Sequence, residues 1–347
     1  MGALPHKLVG FQDLEDDEAR GRFDKHWGFC IPPKNGWHLT EMFEAMEHGK
    51  LTSLFVLGEN PAQSEADSTR CLKLLEGLEF MVAQDIVFTK TAQMADVVFP
   101  ASAAWCESEG TVTNSERRVQ RIRKVLDPPG EARDDIRILA DLARKLGVDL
   151  GQPTPRELWD ELRHVSPMHA GMSYERLERE GGLQWPCPTD DHPGTKFLHA
   201  RLWAEPCEGM RAPFSCCEQV LPVDKITDEF PLRLTTGRRL DSYNTGVQSN
   251  SYASPMRRGE TVDLSPADAA ALGVADGELV KISSRRGSVE APVRIDVLMR
   301  PGLAFMTLHR PDEVDTNILT IDATDPKSGT AEFKASAIRI DKLSVPV

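Results

Sequence analysis

The hydrophobic period of this chain changes once, from alternating helix and buried strand to a period of two, so it must build two different kinds of layer. Leu39, Met42, Phe43 and Met46 recur at helical spacing, with Thr40 placed to cap the start and Gly49 to end it. Ser53-Leu-Phe-Val-Leu-Gly58 then reads as a buried strand, Leu72, Leu74, Leu75 and Leu78 as a second helix, and Phe80-Met-Val-Ala83 as a second strand. Ala95-Asp-Val-Val-Phe-Pro100 supplies a third, and Ile136, Leu139, Leu142, Ala143 and Leu146 put one apolar face on a helix closed by Gly147. Such alternation is the mark of a doubly wound α/β sheet. Its domain is expected over residues 1–150, with 1–38 an irregular lead-in.

Residues 151–217 read as a packed connection with one helix around Pro155 to His164. Beyond Pro222 the short runs Leu232-Arg-Leu-Thr-Thr236, Leu279-Val-Lys-Ile-Ser283, Val289 to Val297 and Ala337-Ile-Arg-Ile340 predict strands. Ser284-Arg-Arg-Gly287 reads as a hairpin turn. A short helix, Pro266 to Leu272, interrupts them, with Ser265 as its cap and Pro266 in its first turn. Many short strands and one helix predict a small closed barrel over residues 218–347.

Charge and cysteine usage narrow the function classes. Lys and Arg total 41 against 54 Asp and Glu, a net charge of -13, which argues against a general nucleic-acid surface. The start, MGALPHKLVG, lacks the apolar core of a signal peptide, and no later run approaches a membrane span. A cytoplasmic protein without a membrane span is expected. Cys30, Cys71, Cys106, Cys187 and Cys207 stand alone and Cys216 and Cys217 are adjacent, so no spacing suits a zinc or iron-sulfur site.

Four stretches can carry chemistry, and each has a plain alternative. Gly58-Glu59-Asn60-Pro61 ends a strand and begins a helix, where ligands of open α/β sheets bind; an ordinary strand-to-helix turn reads the same way. It is not the GxGxxG of a nicotinamide site. Gln84-Asp85, followed by Thr89 and Thr91, could read a guanine edge with its carboxylate or merely cap a helix. Thr236-Gly237-Arg238, followed by Tyr243-Asn244-Thr245-Gly246, lets backbone approach a ligand with a guanidinium at hand, or forms a hairpin with a surface arginine. Asn317, Asp322, Asp325 and Lys334 make the last stretch polar, as loop residues often are.

Six collinear blocks carry a more specific message. Val-Leu-Gly-Glu-Asn-Pro (56–61), Gln84-Asp-Ile-Val-Phe-Thr-Lys-Thr-Ala92, Ala95-Asp-Val-Val-Phe-Pro100, Glu109-Gly-Thr-Val-Thr-Asn-Ser-Glu-Arg-Arg118, Leu234-Thr-Thr-Gly-Arg238 and Leu319-Thr-Ile-Asp-Ala-Thr-Asp-Pro326 occur in this order. Together they resemble the carboxyl-terminal half of molybdopterin oxidoreductases, specifically formate dehydrogenase alpha subunits, and the resemblance covers nearly the whole chain.

That resemblance implies a Rossmann-like α/β domain followed by a double-psi β-barrel, the two holding molybdopterin guanine dinucleotide with molybdenum or tungsten in an enzyme that oxidises formate to carbon dioxide. By motif position, Glu59, Asn60, Gln84, Asp85, Ser108 and Asp135 would face a guanosine or its phosphates. Thr236, Gly237, Arg238, His309, Asn317 and Lys334 would contact the pterins from the barrel side. These are binding roles, and no catalytic or metal-ligating residue is assigned. Two departures stand out: Asp241-Ser-Tyr-Asn244 replaces a Glu-His-Trp-His-like run, and Ser108 stands where relatives often have lysine. Met1-Gly-Ala-Leu-Pro5 looks like an internal block of the family, so the cysteine cluster, metal ligand and catalytic arginine are expected upstream of it. The implied partners are a missing amino-terminal half or complementary subunit, which would carry the iron-sulfur cluster, and electron-transfer subunits. The competing expectation is a non-catalytic module that holds or delivers the guanine dinucleotide.

Overall fold

The computed structural model describes residues 4–199, 214–240, 242, 244, 259–326 and 328–343, so Trp203, Cys207, Asp241, Tyr243, Thr245 and Gly246 lie outside the described residues. By contact the chain divides into two compact units, one of Met1–His38 and Pro100–Glu218, the other of Leu39–Phe99 and Gln219–Val347. In chain order the strands are β1 (Lys7–Leu8), β2 (Gln12–Asp13), β3 (Ser53–Leu57), β4 (Phe80–Asp85), β5 (Val97–Pro100), β6 (Gly110–Thr113) and β7 (Arg118–Ile122). They continue with β8 (Leu183–Gln184), β9 (Leu232–Gly237), β10 (Val262–Leu264), β11 (Leu279–Ser283), β12 (Ser288–Ile295), β13 (Leu303–Thr307) and β14 (Ser336–Lys342). No helix among the described residues is long and apolar enough to cross a membrane.

In the first unit the expected irregular lead-in is in fact structured. A helix spans Asp17–Trp27, with Asp16 accepting from the N–H groups of Glu18 and Ala19 and a left-handed Gly28 closing it. Its acidic start favours a helix amino terminus, while Ala19 and Phe23, four apart, supply its buried contacts. β6, β7 and β8 form an antiparallel sheet. Val119 of β7 and Leu183 of β8 share a core with Trp159, Met172, Tyr174, Leu177 and Cys187. The helix expected around Pro155 to His164 runs Pro155–Val165 and starts with a capping box between Thr154 and Glu157.

The second unit holds the open sheet and the barrel. β3, β4 and β5 are neighbours in that order, β3 and β4 parallel. Phe43, Met46, Val56, Ala62, Cys71, Leu75 and Met81 make their core with the helices Leu39–Glu47, Pro61–Ser64 and Ser68–Glu76. The six strands β10-β12-β11-β14-β9-β13 close into the expected barrel. Two pairs are parallel, β10 with β12 and β9 with β13, and the other pairs are antiparallel. Leu234, Val262, Leu264, Val280, Ile282, Ala304, Met306 and Ile338 fill its interior with no exposed surface. The helix Pro266–Leu272 lies where the sequence predicts it, capped by Ser265 and closed by a left-handed Gly273.

Candidate functional site

The carboxyl ends of β3 and β4 are stitched together before their loops diverge. The Gly58 N–H donates to the Gln84 carbonyl at 2.8 Å. Gly58 has φ +64 and open space where a side chain would stand, so backbone is presented bare at the strand end. Glu59 is exposed, whereas Asn60 and Gln84 are buried.

Asn60 does not cap the turn that follows with its side chain. Its Oδ1 accepts from Thr91 N at 3.1 Å and from Thr91 Oγ1 at 2.7 Å, and the same hydroxyl accepts from the Ala62 N–H at 3.1 Å. Its amide donates to Gln63 Oε1 at 2.8 Å. Buried amides with this many bonds are fixed in orientation, which is what a recognition site needs.

Gln63, which the sequence reading did not single out, joins this turn to the barrel loops within the unit. Its amide donates to Asp312 Oδ1 at 2.6 Å, and its carbonyl accepts from Asn317 Nδ2 at 3.4 Å. Asn317 Oδ1 in turn accepts from Thr320 Oγ1 at 3.1 Å. Ser68 Oγ reaches Asp315 Oδ2 at 2.9 Å, and Arg70 bridges Glu47 at 2.5 Å and Asp322 at 2.6 Å. Asn60 and Asn317 are thus brought to one cluster through a residue about 250 positions from its barrel partners. A cavity of about 470 Å³ opens alongside, lined by Thr40, Glu65, Arg70, Cys71 and Asp322 among others. Burial, reinforced by the neighbouring Glu59 carboxylate, pushes Glu65 up to about 7.

The barrel rim forms a second cluster. β9 and β13 are parallel and β10 is antiparallel to β13, so the end of β9, the end of β13 and the start of β10 share one rim. Lys334 Nζ donates to the Thr236 carbonyl at 2.8 Å, and Thr236 Oγ1 donates to the Phe333 carbonyl at 2.9 Å. His309 Nε2 accepts from the Arg239 N–H at 2.8 Å, which leaves Nδ1–H to donate to the Asn244 carbonyl at 2.6 Å. Gly237 sits against Phe305, where a side-chain carbon would come within 2.9 Å of the ring. Beneath the rim, buried Glu260 accepts from Thr307 Oγ1, and Arg239 is held by Thr261 Oγ1 at 2.7 Å and the Gly259 carbonyl at 3.1 Å. Arg238 is exposed at the same strand end. Burial raises the carboxyls of Glu260 and Asp263 despite these bonds.

Asp85 is partly committed: its Oδ1 accepts from Ile86 N at 2.7 Å and Val87 N at 3.3 Å. Ser108 and Asp135 belong to the other compact unit. There Ser108 Oγ bonds to Asp134, the residue that caps the helix Asp135–Lys145 through Ile136 N.

The donor set suits a nucleotide-bearing pterin. Lys334 and Arg238 offer cations for phosphate and bare Gly58 allows close approach, while the buried amides of Asn60 and Asn317, bonded within the cluster, hold the adjoining loops in place.

Residues 31–145 match the molybdopterin oxidoreductase family model, and residues 232–337, which span most of the barrel, match the molybdopterin dinucleotide binding domain. The F420-dependent formate dehydrogenase 2 subunit alpha of Methanococcus maripaludis is 40% identical over 349 residues, covering 99% of this chain and 50% of that protein. The assimilatory nitrate reductase catalytic subunit of Bacillus subtilis is 37% identical over 350 residues, covering 98% of this chain and 49% of that protein. Among solved structures, acetylene hydratase from Pelobacter acetylenicus aligns with TM-score 0.63 at 20% identity, over 88% of this chain and 46% of that one. The chain spans about half the length of the curated relatives it matches.

Proposed function

From a chain built of the domains of the molybdopterin oxidoreductase family, we infer the cofactor-holding part of a formate dehydrogenase. Its cofactor is molybdopterin guanine dinucleotide, which when bound supplies the metal centre for redox chemistry. The observation that carries this reading is the Asn60–Gln63–Asn317 cluster, which ties the strand-end turn to the barrel loops at the positions the family motifs mark.

In this reading Asn60 and Asn317 brace the loops that orient the nucleotide, while Lys334 and Arg238 neutralise phosphate charge. Glu59, Gln84 and Asp85 lie at the strand ends beside the guanosine, and Thr236 and Gly237 present the rim backbone to the pterin. His309, with both ring nitrogens bonded, braces the loop after Gly237 and so shapes the rim. The residues that take up formate and pass on electrons would come from the part of the relatives that this sequence does not span, in a cytoplasmic complex.

The nitrate reductase relative supports a second reading, in which the same cradle serves another oxyanion substrate. Formate- and nitrate-dependent dye assays on the complete enzyme separate the two. For the chain alone the expected result is no formate-dependent dye reduction; robust turnover without a partner would overturn the assignment of roles.

A further inference from the structure

The unit that contains β6, β7 and β8 carries a second, partly open cavity of about 600 Å³, in the range of small-molecule sites. Its walls include Trp159, Trp185, Met168 and Leu162, with Thr111 and Thr113 from β6 and the β1–β2 hairpin at one side. His169 stands between the indoles, 5.8 Å edge-on from Trp159 and 6.3 Å from Trp185 between ring centroids. The aromatic and apolar wall faces polar groups from Lys7, Thr111, Thr113 and His169.

One of those groups has a defined direction of hydrogen bonding. Ser166, fully buried, places its Oγ 2.8 Å from His169 Nδ1. If Nδ1 carried the proton, the buried serine hydroxyl hydrogen would have no acceptor among the described residues. Ser166 Oγ–H therefore donates to Nδ1, since a buried unpaired donor is costly, and the imidazole proton resides on Nε2. Nε2 has no protein partner among the described residues, and His169 lines the cavity. Burial pulls His169 down to about 4, so the ring is a neutral donor. The ammonium of Lys7, at the rim, is engaged by Asp13.

Gly10 makes the arrangement possible. A side-chain carbon there would come within 2.2 Å of Ser166 Oγ, so only glycine lets the hairpin close over the serine–histidine pair. Neither the cofactor cradle nor the family motifs account for this construction.

We propose that this cavity binds a neutral, planar aromatic compound bearing a carbonyl acceptor, its ring against the wall that Trp159, Trp185, Met168 and Leu162 make and its carbonyl on His169 Nε2–H. The site lies wholly within its own unit and does not depend on the cofactor assignment.

Calorimetric titration of the full chain with coumarin tests it, with naphthalene as a comparably sized ring that has no acceptor. Saturable one-to-one binding of coumarin is expected, weakened about five- to tenfold in His169→Phe, which keeps a ring and removes the donor. Naphthalene should bind wild type more weakly by a similar factor and be indifferent to His169→Phe. Thr113→Phe, a change on an exposed strand position that fills the cavity, should abolish coumarin binding with unchanged circular dichroism. No saturable coumarin binding, or binding unaffected by both variants, would overturn the site. Equal affinity for naphthalene would overturn the hydrogen-bonded carbonyl.

Discussion

The barrel and the open sheet sit in one compact unit yet are built on opposite terms. The barrel closes on itself, leaves no strand edge among β9 to β14, and fills its interior with aliphatic side chains of zero exposure. The sheet β3-β4-β5 shares one core with the helices Leu39–Glu47, Pro61–Ser64 and Ser68–Glu76, while Phe55, Leu57 and Val97 remain 38%, 41% and 36% exposed. The difference teaches where stability and recognition reside. The barrel folds around its own core and lends a rim of bonded loops; the sheet contributes strand ends whose loops carry much of their polarity into the Asn60–Gln63–Asn317 cluster.

The sharpest way to break this comparison is at the barrel's buried charge. Asp224 is 4% exposed and paired with Arg285 and with Arg286 at 2.6 Å, and it accepts the Ala337 N–H of β14 at 2.9 Å. Burial opposes its ionisation, but the Ala337 N–H and the two guanidiniums win and hold its carboxyl below the usual range. Asp224→Ala removes the carboxylate shared by partly buried Arg286, Arg285 and the Ala337 N–H and should cost about 3–5 kcal/mol in urea unfolding. A change under about 1 kcal/mol would show that the barrel does not rely on this pair. Next, Leu234→Ala in the barrel core should cost about 2–5 kcal/mol, against under about 1 kcal/mol for Phe55→Ala on the sheet. Equal losses would erase the distinction between the two regions.

A smaller effect depends on pH. Glu65, raised to about 7 in the fold from an ordinary 4.5, binds its proton more tightly folded than unfolded. Its contribution to stability is therefore fully present below about pH 4.5 and lost as pH rises through 7. Glu65→Gln should remove about 2 kcal/mol of that pH dependence, read as a flatter melting temperature between pH 5 and 7.5. An unchanged profile would place the titration elsewhere. Smallest, Ser265→Ala removes the cap on Asp268 N and should cost about 1 kcal/mol; no measurable loss would assign the helix boundary to Pro266 and Gly273 alone.

Legibility followed a different divide, for β3, β4 and β5 could be read as well as β9, β11, β12 and β14, whereas the barrel strands β10 and β13 could not. The four barrel strands, the 284–287 hairpin and the Pro266–Leu272 helix were legible because burial on one face imposes a period of two, and proline, glycine and serine mark the ends. The Asp17–Trp27 helix escaped notice because only Ala19 and Phe23 are buried, and its cap hides in an acidic run. β6 is Gly-Thr-Val-Thr with two exposed positions and β7 carries Arg118 and Arg121, the latter lying 3.6 Å over the Tyr174 ring, so their apolar pattern is faint. At the site, Asn60 and Asn317 could be named from motifs. Gln63 could not, since its partners Asp312 and Asn317 are remote in sequence and no local period records them.

The central claim is that the strand-end turn and the barrel rim hold one dinucleotide together, and equilibrium dialysis of the full chain with molybdopterin guanine dinucleotide tests it most directly. Saturable binding is predicted, weakened at least about tenfold by either Asn60→Ala or Lys334→Ala and unchanged by Phe55→Ala. Absence of saturable binding, or equal affinity in all four proteins, would contradict it.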